Sequence, residues 1–385
     1  MLSAVRPVTS LLLAILLLMA GSGFMGTLLS VRLEHAAVDA LLIGLVTTAY
    51  FGGLTLGALY AGRVIERVGH IRAFAAFVAL LTASTLSFAL RQDVALWTAL
   101  RFVNGLAVAG VYVCLESWLN ERASREGRGL VLAAYMIALY AGQAAGQFLL
   151  ELDRGPPGLP FIAGAILISI SIIPIALTRA ISPTLGRFPP PSLGRLYAIS
   201  PLGMVGAAVV GLILGAFYGL GAVYAQRLGL GLSGTAGFMS AVIVGGVALQ
   251  WPLGWLSDHF DRRRVIVGAF AGAAAVAAAL ALVGAAGVWL LLLGGLFGGL
   301  SFALYPLCVA HANDHVEPED RVSATGGLVL VYSAGAAVGP MGAALALHLF
   351  GAGGLFGFIA LCAAAALAFG LWRLGVRPPV PNEQQ

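Results

Sequence analysis

The sequence contains no lysine: all 21 basic residues among its 385 are arginine, set against 16 acids. Charged residues make up only 10% of the chain, where a soluble domain of this length carries about a quarter. So small a charged fraction cannot cover a water-exposed surface, and most of the surface must face lipid. Cysteine is scarce as well. Cys114, Cys308 and Cys362 stand alone inside apolar runs with no CxxC or Cys/His grouping, so neither a disulfide framework nor a zinc site is indicated. No Walker A sequence is present, and Gly229-x-Gly231-x-x-Gly234 matches a dinucleotide fingerprint by letters only, between two apolar runs rather than after a strand. No Ser/His/Asp or Cys/His set has a water-exposed domain to work in. Neither an enzyme nor a cofactor nor a metal is expected. The net charge of +5 could suggest nucleic acid. The arginines lie in short loops between apolar runs, however, which is the pattern of topology signals and not of a nucleic-acid face.

What the chain has in abundance is apolar length. Hydrophobic residues are 60% of the sequence and the mean hydropathy is +0.97. A membrane-spanning helix needs roughly 20 apolar residues, and twelve such runs are present: 7–30, 40–62, 70–90, 94–117, 129–150, 159–178, 200–225, 233–256, 264–284, 287–310, 322–347 and 351–373. The first has a basic flank at Arg6, as a signal peptide would, but it continues through Gly26 and Leu29 and is followed by similar runs, so it is read as a span. The expected fold is therefore all-α and polytopic, with twelve transmembrane helices in two pseudo-symmetric six-helix bundles. The longest break, Thr178 to Ser200, contains Pro189, Pro190 and Pro191 and suits a linker. The expected organisation is a first bundle over 1–178, a cytoplasmic linker over 179–199, a second bundle over 200–373 and a cytoplasmic tail over 374–385.

Orientation follows from arginine. With both termini cytoplasmic, that side holds Arg6, Arg63, Arg67, Arg72, Arg122, Arg125, Arg128, Arg179, Arg187, Arg195, Arg262, Arg263, Arg264, Arg321, Arg373 and Arg377. The other side holds Arg32, Arg91, Arg154 and Arg227, so sixteen face four, a strong positive-inside bias. A bacterial inner membrane is the expected location. The two halves also echo each other. Gly62-Arg-Val-Ile-Glu66-Arg67-Val-Gly69-His-Ile-Arg72 follows span 2, and Gly254-Trp-Leu-Ser-Asp258-His-Phe-Asp-Arg262-Arg-Arg264 follows span 8, with glycine and acid 192 residues further on. Gly142-Gln-Ala-Ala-Gly146-Gln147 in span 5 answers Gly335-Ala-Ala-Val-Gly339-Pro340 in span 11 at an offset of 193. Two landmarks at nearly one offset argue for duplicated six-helix units, a common plan of alternating-access transporters.

The two loops resemble the signature loop of the major facilitator superfamily, Gly-x-x-x-Asp-Arg-x-Gly-Arg-Arg/Lys. The first departs from it at Glu66 and His70, the second at Asp261, which stands where the internal glycine would be. Arg101-Phe-Val-Asn104-Gly105 is similar to the superfamily's Arg-x-x-x-Gly motif in span 4. Cys114-Leu-Glu116-Ser-Trp118-Leu-Asn120-Glu-Arg, Gln250-Trp-Pro-Leu-Gly254 and Tyr305-Pro-Leu-Cys-Val-Ala-His311-Ala-Asn313-Asp314 resemble the bacterial YcaD-like branch. The resemblance covers essentially the whole chain. It implies a secondary transporter, and a latch at Gly62, Glu66, Arg67, Gly69, Arg72, Gly254, Asp258 and Arg262 that holds the outward-open state. Glycine there would let helix ends approach closely, while the acid pairs with arginine. The alternative for these arginines is topology alone.

Arg101 lies about seven residues into span 4, roughly 10 Å deep at 1.5 Å per residue, where a cation costs on the order of 2 kcal/mol. It is either a coupling or substrate-anion group, as its superfamily counterpart implies, or an arginine snorkelling to the interface. Glu116 is either a proton carrier or a latch partner of Arg67 or another loop arginine. Gln143 and Gln147 share a helix face and either line a cavity or bridge helices. Tyr50, Asn104, Tyr218, Tyr224, Gln250, Trp251, Tyr305 and Tyr332 complete the cavity candidates, with interfacial anchoring as the rival for the aromatics. Gly-x-x-x-Gly-Pro in span 11 resembles an antiporter motif of span 5, but Gln147 stands where that proline would be, so bending or close packing is the reading retained. His311, Asn313 and Asp314 are read as capping and loop-pairing groups, with ion binding as the rival. Together these features point to a transporter of a small amphipathic or mildly anionic organic solute, coupled to protons and acting as a monomer. The other possibility is a non-transporting scaffold or assembly factor of the same fold.

Overall fold

A lipid-facing chain must satisfy its backbone hydrogen bonds within each segment, and a helix does this alone. The computed structural model describes residues 8–122, 128–177, 192–284, 287–317 and 320–376, and these contain no strand. Twelve helices among them are long and apolar enough to cross a membrane. Numbered in chain order, they are α1 Thr9–His35, α2 Ala40–Val68, α3 His70–Ser87, α4 Val94–Leu119, α5 Leu130–Arg154, α6 Leu159–Ala176, α7 Pro201–Arg227, α8 Gly231–His259, α9 Arg262–Leu282, α10 Gly287–Asn313, α11 Ser323–Phe350 and α12 Gly354–Val376. The twelve predicted runs are all present. The prolines 189–191 of the expected linker, Arg6, Arg125, Arg179, Arg187 and Arg377 lie outside the described residues.

The first helices run further than their apolar stretches, α1 to His35 and α2 to Val68. The extra turn of α1 carries charge that finds partners: Arg32 pairs with Asp153 at 2.5 Å, and Glu34 pairs with Arg227 at 2.7 Å. α5 tightens into 3-10 turns from Gln147 to Arg154. A short helix, Leu193–Ile199, precedes α7.

By contacts the chain forms two units. The first comprises Met1–Arg32, Ala49–Gly186 and Leu232–Ser240; the second comprises Leu33–Thr48, Arg187–Gly231 and Ala241–Gln385. Inside the first, α1 packs on α5 and α6, and α3 packs on α4 and α6. Inside the second, α7 packs on α11 and α12, and α9 packs on α10 and α12. These are the same four pairings six helices apart.

The repeated glycines explain the tightest of them. A Cβ on Gly142 or Gly146 would collide with the carbonyl oxygen of Leu16 or Ala20 in α1, and one on Gly335 or Gly339 with that of Ala208 or Leu212 in α7. Small residues at such crossings let backbones touch where the apolar effect between helices is weak. A hydrogen bond repeats as well. Thr48 Oγ1 donates to the Ala337 carbonyl at 2.8 Å within the second unit, and Ser240 Oγ donates to the Ala144 carbonyl at 2.8 Å within the first.

Candidate functional site

Gly105 sits one helical turn after Arg101, so both lie on one face of α4. A Cβ at Gly105 would strike the carbonyl oxygen of Tyr50 in α2, and one at Gly53 would strike that of Phe102. Glycine at these positions thus brings α2 and α4 into backbone contact. The result is a cation–π pair: the Arg101 guanidinium carbon stands 4.1 Å from the centre of the Tyr50 ring. Arg101 is 7% exposed and makes no ion pair or hydrogen bond among the described residues. An aromatic face offers a buried guanidinium about 2 kcal/mol or more, less than a carboxylate would. The site therefore holds a positive charge whose hydrogen-bond donors are unspent.

Glu116 lies further along α4. It is exposed, and its partner is Tyr135 of α5, whose hydroxyl donates to Oε1 at 3.4 Å. Among the described residues it forms no ion pair with Arg67 or any other arginine. Tyr135 was not marked by the sequence, because a lone tyrosine in an apolar run reads as core; only its position across from Glu116 reveals its role.

The remaining cavity candidates divide sharply. Asn104, Gln147 and Tyr224 are buried and fully engaged: Asn104 Nδ2 donates to Ser84 Oγ at 2.7 Å, and Tyr224 Oη donates to the Leu280 carbonyl at 2.7 Å. Gln147 accepts from Thr27 at 2.8 Å and donates to the Gly23 carbonyl at 3.1 Å, so it bridges α5 to α1. Gln143 is half-buried against Gly23. Trp251 is 77% exposed on α8. Tyr218, Gln250, Tyr305 and Tyr332 are half-buried in the second unit, with Tyr305 and Tyr332 paired at 4.9 Å between centroids.

The two signature loops fold differently. Gly69 ends the first at φ 83°, a conformation that favours glycine, and leads directly into α3. In the second, Asp261 caps α9 instead, its carboxylate accepting from the Arg263 backbone at 3.0 Å. Arg263 further grips Asp261 through Nε and Nη2 at 3.1 and 2.8 Å. Burial raises the Asp261 carboxyl, but these bonds and the arginine charges outweigh it and hold the group below its usual value. Arg262 is buried and bridges Asp258 at 3.1 Å and Asp314 at 2.7 Å, which ties the loop to the end of α10. Burial lifts the Asp314 carboxyl above the usual range against the pull of Arg262. Glu66, Arg67 and Arg72 are exposed and have no ion pair among the described residues. Close approach at Gly62 and Gly254 is not observed, since a Cβ at either would meet nothing within 4 Å.

A family model described as Major Facilitator Superfamily matches residues 11–284 and again 204–385. The chain is 31% identical over 369 residues to an uncharacterized MFS-type transporter named YcaD from Salmonella enteritidis, covering 92% of each chain. It is 30% identical to the protein of that name from Salmonella typhi over 97% of each. Among solved structures, a variant of the nucleoside transporter NupG superposes with a TM-score of 0.81 at 14% identity, covering 96% of this chain and 99% of that one. A bacterial homolog of the human lysosomal transporter Spinster, inward-facing and occupied, gives 0.76 at 16% identity over 95% of each. At such identities the likeness is one of fold.

Proposed function

Because the chain belongs to the major facilitator superfamily, we propose that it is a secondary active transporter that moves a small organic solute across the bacterial inner membrane by alternating access. Family, twelve spans and the repeated helix pairings support the class. The observation that carries the finer reading is Arg101, a buried cation with its ring partner but no carboxylate among the described residues. A cation kept in an apolar span is costly, and its open donors suit a carboxylate or another anionic group on the cargo. Glu116, exposed and hydrogen-bonded by Tyr135, is the carboxylate placed to take up and release a proton in coupling. Both termini face the cytoplasm in this reading, and the Arg262–Asp314 bridge is part of the latch that holds one state.

A thermal-unfolding screen of the purified chain against organic anions and drug-like solutes tests the proposal, with Arg101→Ala beside it. A ligand at 100 times its Kd stabilises the protein it binds by about 2.7 kcal/mol. A hit on the natural chain that Arg101→Ala loses is the expected result. Hits that both proteins keep remove Arg101 from the site, and an absence of hits across the library argues against transport of such solutes.

A further inference from the structure

α7 starts at Pro201, which has no N–H, so Leu202 and Gly203 present the first backbone donors without an intrahelical acceptor. Its N-cap, Ser200, does not close that end. The Ser200 residue is 1% exposed, and its hydroxyl finds no hydrogen-bond partner among the described residues. Ser200 lines a small recess of about 30 Å³ that opens to solvent, together with Arg263, His311, His315, Arg373 and Leu374. His311 is 6% exposed, and its ring has no hydrogen-bond partner among the described residues. His315 donates through Nδ1 to the His311 carbonyl at 2.8 Å, which leaves Nε2 for another partner. Arg373 has no acid partner among the described residues and lies 5.4 Å from the centre of the exposed Trp372 ring. The acids nearby are committed elsewhere, Asp261 to Arg263 and Asp314 to Arg262. Among the described residues no acid lines the recess itself.

We propose that this recess in the second unit binds a phosphate-type oxyanion, seated on the α7 N-terminus and held by Ser200, His311, His315 and Arg373. Two buried polar groups without a hydrogen-bond partner and an arginine without an acid, as counted among the described residues, join a positive helix end as complementary donors for one tetrahedral anion. The same chemistry fits a free phosphate or the headgroup of an anionic phospholipid. The second source draws support from Trp372, an exposed ring beside Arg373 of the kind that sits at headgroup level.

Melting of the purified full chain distinguishes the sources. One arm titrates potassium phosphate against potassium chloride of equal ionic strength. The other compares dioleoylphosphatidylglycerol with dioleoylphosphatidylcholine in mixed micelles. A stabilising shift specific to phosphate assigns a soluble anion, and one specific to phosphatidylglycerol assigns a lipid headgroup. In either case Arg373→Gln is expected to weaken the response about tenfold and Arg373→Lys to retain most of it. If neither probe exceeds its control on the natural chain, the site does not exist. The same conclusion follows if Arg373→Gln and Ser200→Val both respond like the natural chain. Should Arg373→Gln fail to fold, the natural chain and Ser200→Val decide alone.

Discussion

At the scale of single residues, Arg101 separates two kinds of role through opposite effects on stability. If the fold needs Arg101 for packing, removing it costs about 2–5 kcal/mol through the lost ring contact and the space left behind. A buried cation held for a ligand is a cost in the empty protein, and an apolar side chain of similar length removes that cost. Arg101→Met is therefore expected to melt at or above the natural temperature while losing every ligand-induced shift. A loss of more than about 3 kcal/mol in the ligand-free protein would make Arg101 structural instead. Tyr50→Leu should leave the cation without its ring partner and lower stability by about 1–2 kcal/mol. Glu116→Gln predicts a different separation. Exchange of labelled solute in proteoliposomes should persist, while accumulation driven by an imposed pH gradient should fall at least tenfold; equal loss of both would remove Glu116 from coupling. These partners were illegible beforehand for a simple reason. Tyr50 and Arg101, like Glu116 and Tyr135, are far apart in sequence and meet only across helix crossings, and nothing in an apolar run tells one tyrosine from another.

Elements were far more legible, because each span must be apolar over its whole length and each break must be charged or rich in turn residues. The span 11 glycines, 335 and 339, could be read as close packing before any crossing was known, and their repeat at 142 and 146 packs in the same way. The close approach expected at Gly62 and Gly254 is absent, because a motif glycine is not by itself a helix crossing. That contrast is testable. Gly339→Leu should clash with the Leu212 carbonyl and cost about 3 kcal/mol or more, above the usual range for overpacking. Gly268→Ala in α9, where a Cβ meets nothing within 4 Å, should be neutral or gain up to about 1 kcal/mol from helix propensity. The α9 cap adds a pH signature. Asp261 titrates below its ordinary 3.8 in the folded protein, so its stabilisation is complete at neutral pH and disappears as pH falls from that value through the folded one. The melting gap between the natural chain and Asp261→Asn should be widest near pH 7 and close below pH 3.8; a gap that stays constant would assign the cap no charge contribution.

For the whole molecule, the duplicated helix pairings fix the fold but not which way it sits in the bilayer, since the same twelve helices would pack identically if inverted. Orientation is carried by arginine alone. Moving an arginine to the centre of the bilayer costs about 2.5–3.5 kcal/mol even on the most lenient scale, so a segment with several arginines resists translocation more with each one. Sixteen against four is a strong bias toward cytoplasmic termini. A green fluorescent protein fused after Gln385 should therefore fluoresce, and alkaline phosphatase at the same position should be inactive. Phosphatase placed in the break between α3 and α4, near Arg91, should be active. The reverse pattern would invert the assignment and put the Arg262–Asp314 bridge on the outer face, where it could not serve as a cytoplasmic latch.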